Sequence, residues 1–457
     1  MTLIDSLPNT VPVSDHAQRT RIFPVLTAAL LSILIISLPN LLDPIIRHDD
    51  YPAYFGDAAT FWEKTLHEGR WLNYVWHLRG IETPAWLNFS VYQALWALFA
   101  AATAMAALGK KGPGWFSVVL ALLILVAPPA SLISLWFNTL IPGLAIVSLY
   151  AVLGCYLPPT KLRMLLPVFV VVSFMAYSTY PLLLLAIVLV RSDERSLKDL
   201  ASILVLFIFS FALAVLTAYS LNWQIHGIFG VPLAEWRDGN PATDFDGLLA
   251  NLPRVTQSVS DFLVKTAFEF KPAVVFHIGM LMAASIVLWR NARLEALYLH
   301  AGLWMGLGLM TVQISKLGVI APPRAFIFVW VFYALLIVRA SEILTQKGGL
   351  SGRMARNFVL LILGSYLLQT FTQYSTYRPW QQETRRLATI VASAQEPIYL
   401  QGQVLQLPSA KAAFIQTETA LISRMRQLTG RDTILCHTDL AACEQAKLGG
   451  GTVIDLE

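Results

Sequence analysis

The chain has 457 residues, 56% of them hydrophobic and only 13% charged, with a formal charge of +5 and three cysteines. Soluble domains run about 45–50% apolar and about 25% charged, so the composition excludes an ordinary soluble globular protein and points to a polytopic membrane protein. The positive charge makes no case for nucleic acid, because the basic residues stand in ones and twos between apolar spans, as topology signals do.

In chain order, membrane helices are expected near 22–43, 88–108, 115–131, 133–154, 163–178, 180–190, 200–221, 272–290, 296–315, 324–343 and 357–374. The first reads as a retained helix rather than a cleaved signal, being long and lacking a small-residue cleavage site. Ala127-Pro128-Pro129 and Ser178-Thr179-Tyr180-Pro181 read as breaks, since proline removes a helix donor. Irregular backbone at membrane depth needs cover from protein or water, so broken hairpins tend to line cavities.

One alternating set of loops carries Arg19 and Arg21; Lys110 and Lys111; Lys161 and Arg163; Arg191, Arg195 and Lys198; Arg290 and Arg293; and Arg339, Lys347, Arg353 and Arg356. That set is expected in the cytoplasm. Eleven crossings would put the N-terminus inside, the C-terminus outside, and every long polar segment outside. The expected fold is therefore an all-α polytopic membrane protein of about eleven transmembrane helices, with a small extracytoplasmic C-terminal α/β unit. Residues 1–376 would be the membrane domain, with outer loops at 44–87 and 222–271, and 377–457 the outer tail.

Residues 57–79 mix aromatics with charges, as an amphipathic helix in the headgroup layer does. In the tail, 397–400, 432–436 and 452–455 are strand candidates and 410–428 has helical periodicity. Cys436 and Cys443 would form a small-loop disulfide in an oxidising compartment; a metal site built on them lacks an evident fourth ligand. Cys155 reads as a free thiol.

The polar cluster after the first span, Arg47-His48-Asp49-Asp50-Tyr51, is the leading candidate reaction centre. A carboxylate within reach of a sugar hydroxyl can take its proton as a bond forms. Asp49 or Asp50 would be that base, with Asp49 preferred; both could instead cap a helix starting near Pro52. Arg324, after Pro322-Pro323, and the nearby Lys316 would hold a phosphate, for which arginine offers a bidentate fork; snorkelling to headgroups is the alternative. Arg70, with Arg47 and Arg79, is a weaker candidate of the same kind. Trp136, Phe137 and Asn138 at the first break, and Tyr177, Ser178 and Tyr180 at the second, would line a sugar site or simply pack. Glu82 and Glu235 have no clear assignment, and His226 and His277 read as structural. There is no P-loop, dinucleotide glycine fingerprint or His-Glu-x-x-His.

The pattern resembles the GT-C membrane glycosyltransferases, most of all the bacterial O-antigen glucosyltransferases of the serotype-conversion type. The resemblance rests on His48-Asp49-Asp50-Tyr51 with Gly69-Arg70, on Ala127-Pro128-Pro129 leading to Trp136-Phe137-Asn138, on Tyr177-Ser178-Thr179-Tyr180, and on Pro322-Pro323-Arg324 with a tail opening Tyr377-Arg378-Pro379-Trp380. Family members often carry an acidic residue near the position of Asn138, and this chain has none there. The resemblance implies transfer of a sugar, glucose foremost, from a polyprenyl-phosphate-sugar donor on the outer face of the bacterial inner membrane. The acceptor would be an O-antigen, lipopolysaccharide or other lipid-linked glycan. An outer-loop Asp would be the base; Arg324, Lys316 and Arg70 would hold the donor phosphate; His48, Tyr51, Glu82, Trp136, Asn138 and Tyr180 would hold substrate. It implies no nucleotide cofactor, leaves any metal unassigned, and calls for a separate donor synthase and flippase. The competing readings are a transporter or flippase for a polyprenyl-linked glycan, which would tend to show internal repeats, and an O-antigen polymerase or ligase, whose key arginines would lie near Arg237 and Arg254.

Overall fold

The computed structural model describes residues 22–109 and 114–456. The basic residues Arg19, Arg21, Lys110 and Lys111 lie outside the described residues. The first long helix, α1 (Ile22–Leu41), leads through a loop to two short helices, α2 (Ala58–Glu68) and α3 (Trp71–His77). Next come α4 (Ala85–Leu108), α5 (Trp115–Leu125), α6 (Phe137–Tyr156), α7 (Pro159–Phe174) and α8 (Pro181–Val190). The long α9 (Leu197–His226) precedes α10 (Leu252–Thr266), α11 (Lys271–Asn291), α12 (Arg293–Leu317), α13 (Ile327–Lys347) and α14 (Gly349–Ser375).

Among the described residues, eight helical stretches are long and apolar enough to cross a membrane: Ile22–Leu41, Ala85–Leu108, Pro128–Tyr156, Leu197–His226, Lys271–Asn291, Arg293–Leu317, Pro323–Lys347 and Gly349–Ser393. The protein is thus a mostly α, multi-pass membrane protein. Every one of the eleven expected segments overlaps a helix, but three of those helices, α5, α7 and α8, have only 11, 16 and 10 residues. At 1.5 Å per residue they rise about 16, 24 and 15 Å, short of a hydrocarbon core of about 30 Å.

The reason lies at the two proline breaks. α5 stops at Leu125, and its last carbonyls find indole donors: Trp96 Nε1 to Leu125 O at 3.1 Å and Trp330 Nε1 to Leu123 O at 2.7 Å. Helix ends orphan such carbonyls, and hydrocarbon cannot solvate them. The chain restarts at Pro128 with proline in the first turn, where no donor is lost. A one-turn helix and a 3-10 turn, Ser134–Trp136, then lead into α6. Ser131 Oγ to Gln373 Oε1 (2.7 Å) and Ser134 Oγ with Tyr374 OH (2.9 Å) pin this irregular stretch to α14. The second break joins α7 to α8. Gly143 of α6 lets the two breaks touch: a Cβ there would lie 2.5 Å from Ala176 Cβ and 2.9 Å from the Tyr180 ring. Small residues allow such close approach between membrane helices.

The three long polar segments meet on one face. Residues 57–79 are not one headgroup helix; Gly69, at φ 67°, divides α2 from α3. Thr65 Oγ1 bonds His226 Nε2 at 2.8 Å, and His67 bonds Pro232 O at 3.1 Å. The tail begins with the amphipathic α15 (Arg378–Ser393) and carries a parallel sheet of β1 (Ile398–Gln401), β2 (Ile434–Leu435) and β3 (Thr452–Asp455), in the order β2-β1-β3. The expected helix over 410–428 is α16 (Thr419–Thr429), preceded by a five-residue helix at Pro408–Ala412. Cys436 and Cys443 are joined by a disulfide, and Cys155 is free.

α16 fastens the tail to the first loop. Arg424 Nη2 grips both oxygens of Asp43 at 2.6 Å, and Tyr51 OH donates to Gln427 Oε1 at 3.4 Å. Arg47 Nη1 donates to Phe414 O at 2.5 Å.

On the opposite face a second polar cluster joins α7, α9, α12 and α13. Arg163 pairs with Asp199 at 2.5 and 3.0 Å, and Arg339 with Glu295 at 2.6 and 2.9 Å. Arg195 also reaches Glu295, and Arg339 also reaches Glu342.

Candidate active site

The first loop and the first break are built as one unit. Arg47 N donates to Leu135 O at 3.3 Å, and the 3-10 turn at His48–Asp50 sets the two adjacent carboxylates apart. Asp50 is fully buried and turns to the start of α6. Its Oδ2 accepts from Asn138 N and Nδ2, both at 3.0 Å, and its Oδ1 from Thr139 N at 2.8 Å. Asp50 therefore caps α6, where backbone donors are unpaired and the dipole favours an anion. The capping alternative thus holds for Asp50, but on a helix 88 residues away in sequence rather than the one near Pro52. Burial pushes its carboxyl up, to about 7, against the pull of the three donors.

Asp49 turns the other way. Its Oδ1 accepts from Trp136 Nε1 at 2.5 Å, and its backbone carbonyl from Lys64 Nζ at 2.9 Å. Its Oδ2 accepts no hydrogen bond within the described residues and is not sealed from solvent. Burial raises the Asp49 pKa, but Lys64, His48, the Trp136 N–H and Arg70 outweigh that and hold it below the usual carboxylate range. Two neighbours of the same type thus stand in opposite electrostatic settings.

Trp136 links Asp49 to the late helices. The Arg324 guanidinium lies 4.0 Å from the centre of a Trp136 ring, and that of Arg47 lies 5.8 Å away. Arg324 has no hydrogen-bond or ion-pair partner among the described residues. It opens onto a cavity of about 450 Å³, with Arg70, Tyr177, Trp236 and Arg237 on the other walls. Arg70 and Arg237 share one carboxylate: Arg70 Nε lies 2.6 Å from Glu68 Oε2, and Arg237 Nη2 lies 3.4 Å from Glu68 Oε1. Burial raises the Glu68 pKa, and Arg70, Arg237 and Lys64 more than reverse it. Burial pushes Lys64 down, and Arg70 adds to the effect.

Five cations thus converge here, Arg47, Lys64, Arg70, Arg237 and Arg324, against Asp49, Glu68 and the exposed cavity-lining Asp238. An excess of half-buried positive charge is costly unless an anion completes it. Arginine forks suit the oxygens of a phosphate.

The other expected site residues lie elsewhere in the network. Lys316 donates to Ala242 O and ties the 238–244 loop to the end of α12, so its ammonium is engaged outside the cavity lining. Tyr51 is buried against the tail. Asn138 is occupied by Asp50 and by Asn88, whose Nδ2 donates to Asn138 Oδ1 at 2.8 Å. Tyr180 is buried beneath the second break, edge-on to Tyr177 at 5.3 Å. Glu82 is exposed and outside the cavity lining. His48 is half-buried, and burial lowers its pKa.

Lys64 and Glu68 join the site although the sequence reading does not point to them. Their signal was present: a charged pair at i, i+4 on one face of α2, just before Arg70. That face turns inward, while Trp62 and Trp76 remain partly exposed on the outside. No group of three or more His, Cys, Asp or Glu among the described residues could hold a metal ion. Compared with known proteins, the chain matches no family model and no curated protein.

Proposed function

We propose that the protein transfers a sugar from a polyprenyl-phosphate-linked donor to a surface glycan, such as an O-antigen, at the outer face of a bacterial inner membrane. The observation that carries this reading is the Asp49–Trp136–Arg324 chain: one indole links a carboxylate with a free oxygen to an unpaired guanidinium that lines a cationic cavity. Asp49 takes the proton from the acceptor hydroxyl as the glycosidic bond forms. Arg324, with Arg70 and Arg237, holds the donor phosphate and stabilises the charge left on it as the anomeric bond breaks. Asp50 fixes the loop by capping α6. Lys316 plays no part in phosphate binding.

In this orientation the cluster at Arg195, Glu295 and Arg339 faces the cytoplasm and the tail faces out, where a disulfide persists. The donor is made on the cytoplasmic side, so a separate synthase and flippase supply it.

Arg237 in the cavity wall favours a second reading, an O-antigen polymerase or ligase using a diphosphate-linked donor. Arg254, the other residue that reading names, donates to Asp238 O at 2.8 Å instead.

The test is an in vitro transfer assay with purified protein, polyprenyl-phosphate-glucose and cell-derived lipid-linked glycan. Product from the wild type and none from Asp49→Asn supports the reading. Product only with a diphosphate-linked glycan donor supports polymerase or ligase chemistry, and no product with either sinks both.

A further inference from the structure

The tail holds a second cavity, of about 640 Å³, at the carboxyl edge of its sheet. All three strands are parallel, so their carboxyl ends share one edge, the edge where open α/β sheets bind ligands. β1 ends there at Gln401 and β2 at Leu435, whose continuation, Cys436 and His437, forms another wall. Gly402, at φ 139°, turns the chain out of β1; a Cβ would come within 2.8 Å of Leu456 Cβ. The crevice thus has a fixed rim. The disulfide braces one wall, and His437 Nε2 and Glu418 Oε2, 3.0 Å apart, brace another.

Its chemistry is unlike that of the membrane cavity. The side chains of Gln401, Gln403 and Gln406 line it, are exposed, and make no hydrogen bond among the described residues. A carboxamide donates and accepts at once, which matches a hydroxyl. The polar side chains engage each other: Glu418 Oε2 with His437 Nε2, and Glu444 with Lys447 at 2.9 Å. Among the described residues that line it, no lysine or arginine is left unpaired to draw a phosphate or a carboxylate. Leu405 and Leu440 are exposed on the rim, as apolar surface for the C–H face of a sugar ring. The volume falls within the range of small-ligand sites.

We infer that this crevice binds a neutral stretch of glycan, and that it holds the acceptor a fixed distance from Asp49. The binding of sugar stands by itself; its role as acceptor site rests on the proposed transfer reaction. The link to the reaction centre is α16. Glu418 precedes its first residue, and Gln427, nine residues on, touches Tyr51 in the first loop. Along a helix that separation is about 14 Å, so a glycan seated in the crevice has its remaining sugars free to reach the first loop.

The experiment uses the full chain in lipid nanodiscs, with lipid-free neutral oligosaccharides released by mild acid from bacterial O-antigen as the probe. Saturation-transfer NMR titration gives their affinity. In Gln401→Ala/Gln406→Ala the Kd rises about tenfold, the equivalent of one or two lost hydrogen bonds. Asp49→Asn leaves the Kd unchanged. In the transfer assay the double variant raises the acceptor KM by about the same factor and leaves kcat and the donor KM alone. Wild-type protein that binds none of the oligosaccharides, or a double variant that binds them equally well, overturns the site. Crevice-dependent binding without transfer overturns the reaction and keeps the site; transfer with an unchanged acceptor KM overturns the acceptor role alone.

Discussion

The two faces of the helical bundle each carry a half-buried cluster of arginines, and they differ in how the charge is closed. On the face away from the tail, Arg163, Arg195 and Arg339 are matched by Asp199, Glu295 and Glu342. Tyr298 OH donates to Asp199 Oδ2 at 2.7 Å and Ser192 Oγ to the same oxygen at 2.6 Å, which completes the set. On the tail-bearing face, Arg324 rests on Trp136 with no counter-ion, and Arg70 and Arg237 divide one glutamate. Paired charge of the first kind locks helices together. Under the proposed reaction, excess charge of the second kind would hold an anion, and the cavity beside it has room for one.

The largest effect that would sharpen this contrast is at the adjacent aspartates. Asp49→Asn lowers transfer by about 10²- to 10⁴-fold, the usual worth of a general base, with thermal stability unchanged. Asp50→Asn puts an amide N–H against the donors of α6 and costs about 1–3 kcal/mol of stability, while folded protein keeps turnover. The pH profile separates the two independently. A base that Lys64 holds below the ordinary carboxylate range stays ionised on the acid side, so kcat/KM shows no acid limb between about pH 5 and 8. A limb centred near 7 would instead identify Asp50, whose carboxyl burial pushes to about 7.

Next in size is the paired face. Glu295→Gln strips Arg339 and Arg195 of their shared partner, leaves Arg339 with Glu342, and destabilises by about 1–3 kcal/mol. A thermal melt in detergent reads this, and the donor KM of the surviving protein stays at the wild-type value. A raised donor KM there would break the contrast. On the open face, Arg324→Ala weakens donor use by about 10- to 100-fold and Arg324→Lys by less, since lysine keeps the charge and loses the fork. Neither moves the melting temperature by much. If both leave donor kinetics untouched, Arg324 is only a lipid-facing anchor. The smallest expected effect is Trp136→Phe, which keeps the ring under Arg324 and removes one hydrogen bond to Asp49. Turnover falls about three- to tenfold, as the loss of about 1 kcal/mol implies, and the acid limb moves to higher pH because a donor that favoured the carboxylate is gone.

How much of this was legible in the residues differs by element. The helices announced themselves through apolar length, and the breaks through Ala127-Pro128-Pro129 and Ser178-Thr179-Tyr180-Pro181, because proline acts locally. The span count was less secure: an apolar run does not say whether its helix crosses or stops halfway, which depends on partners such as Trp96 and Trp330 for its last carbonyls. In the candidate site, the sequence points to Asp49, Arg70, Arg324 and Trp136, and the fold brings them together. The sequence points equally to Lys316, Tyr51, Asn138 and Tyr180, which serve contacts with a loop, the tail, a cap and the core. Lys64, Glu68 and the Arg237 pairing were missed because the face of α2 that turns inward is set by what packs on it.

The sequence by itself determined that this is a membrane protein with proline-broken helices, a polar first loop and a small α/β tail, because hydropathy, periodicity and proline chemistry are properties of short stretches. Only the tertiary structure decided which of two neighbouring aspartates is a cap and which keeps a free oxygen, which arginines are paired, and which tail residues rim a crevice. Those outcomes depend on groups tens to hundreds of residues apart, and no local pattern encodes a counter-ion that arrives from another helix.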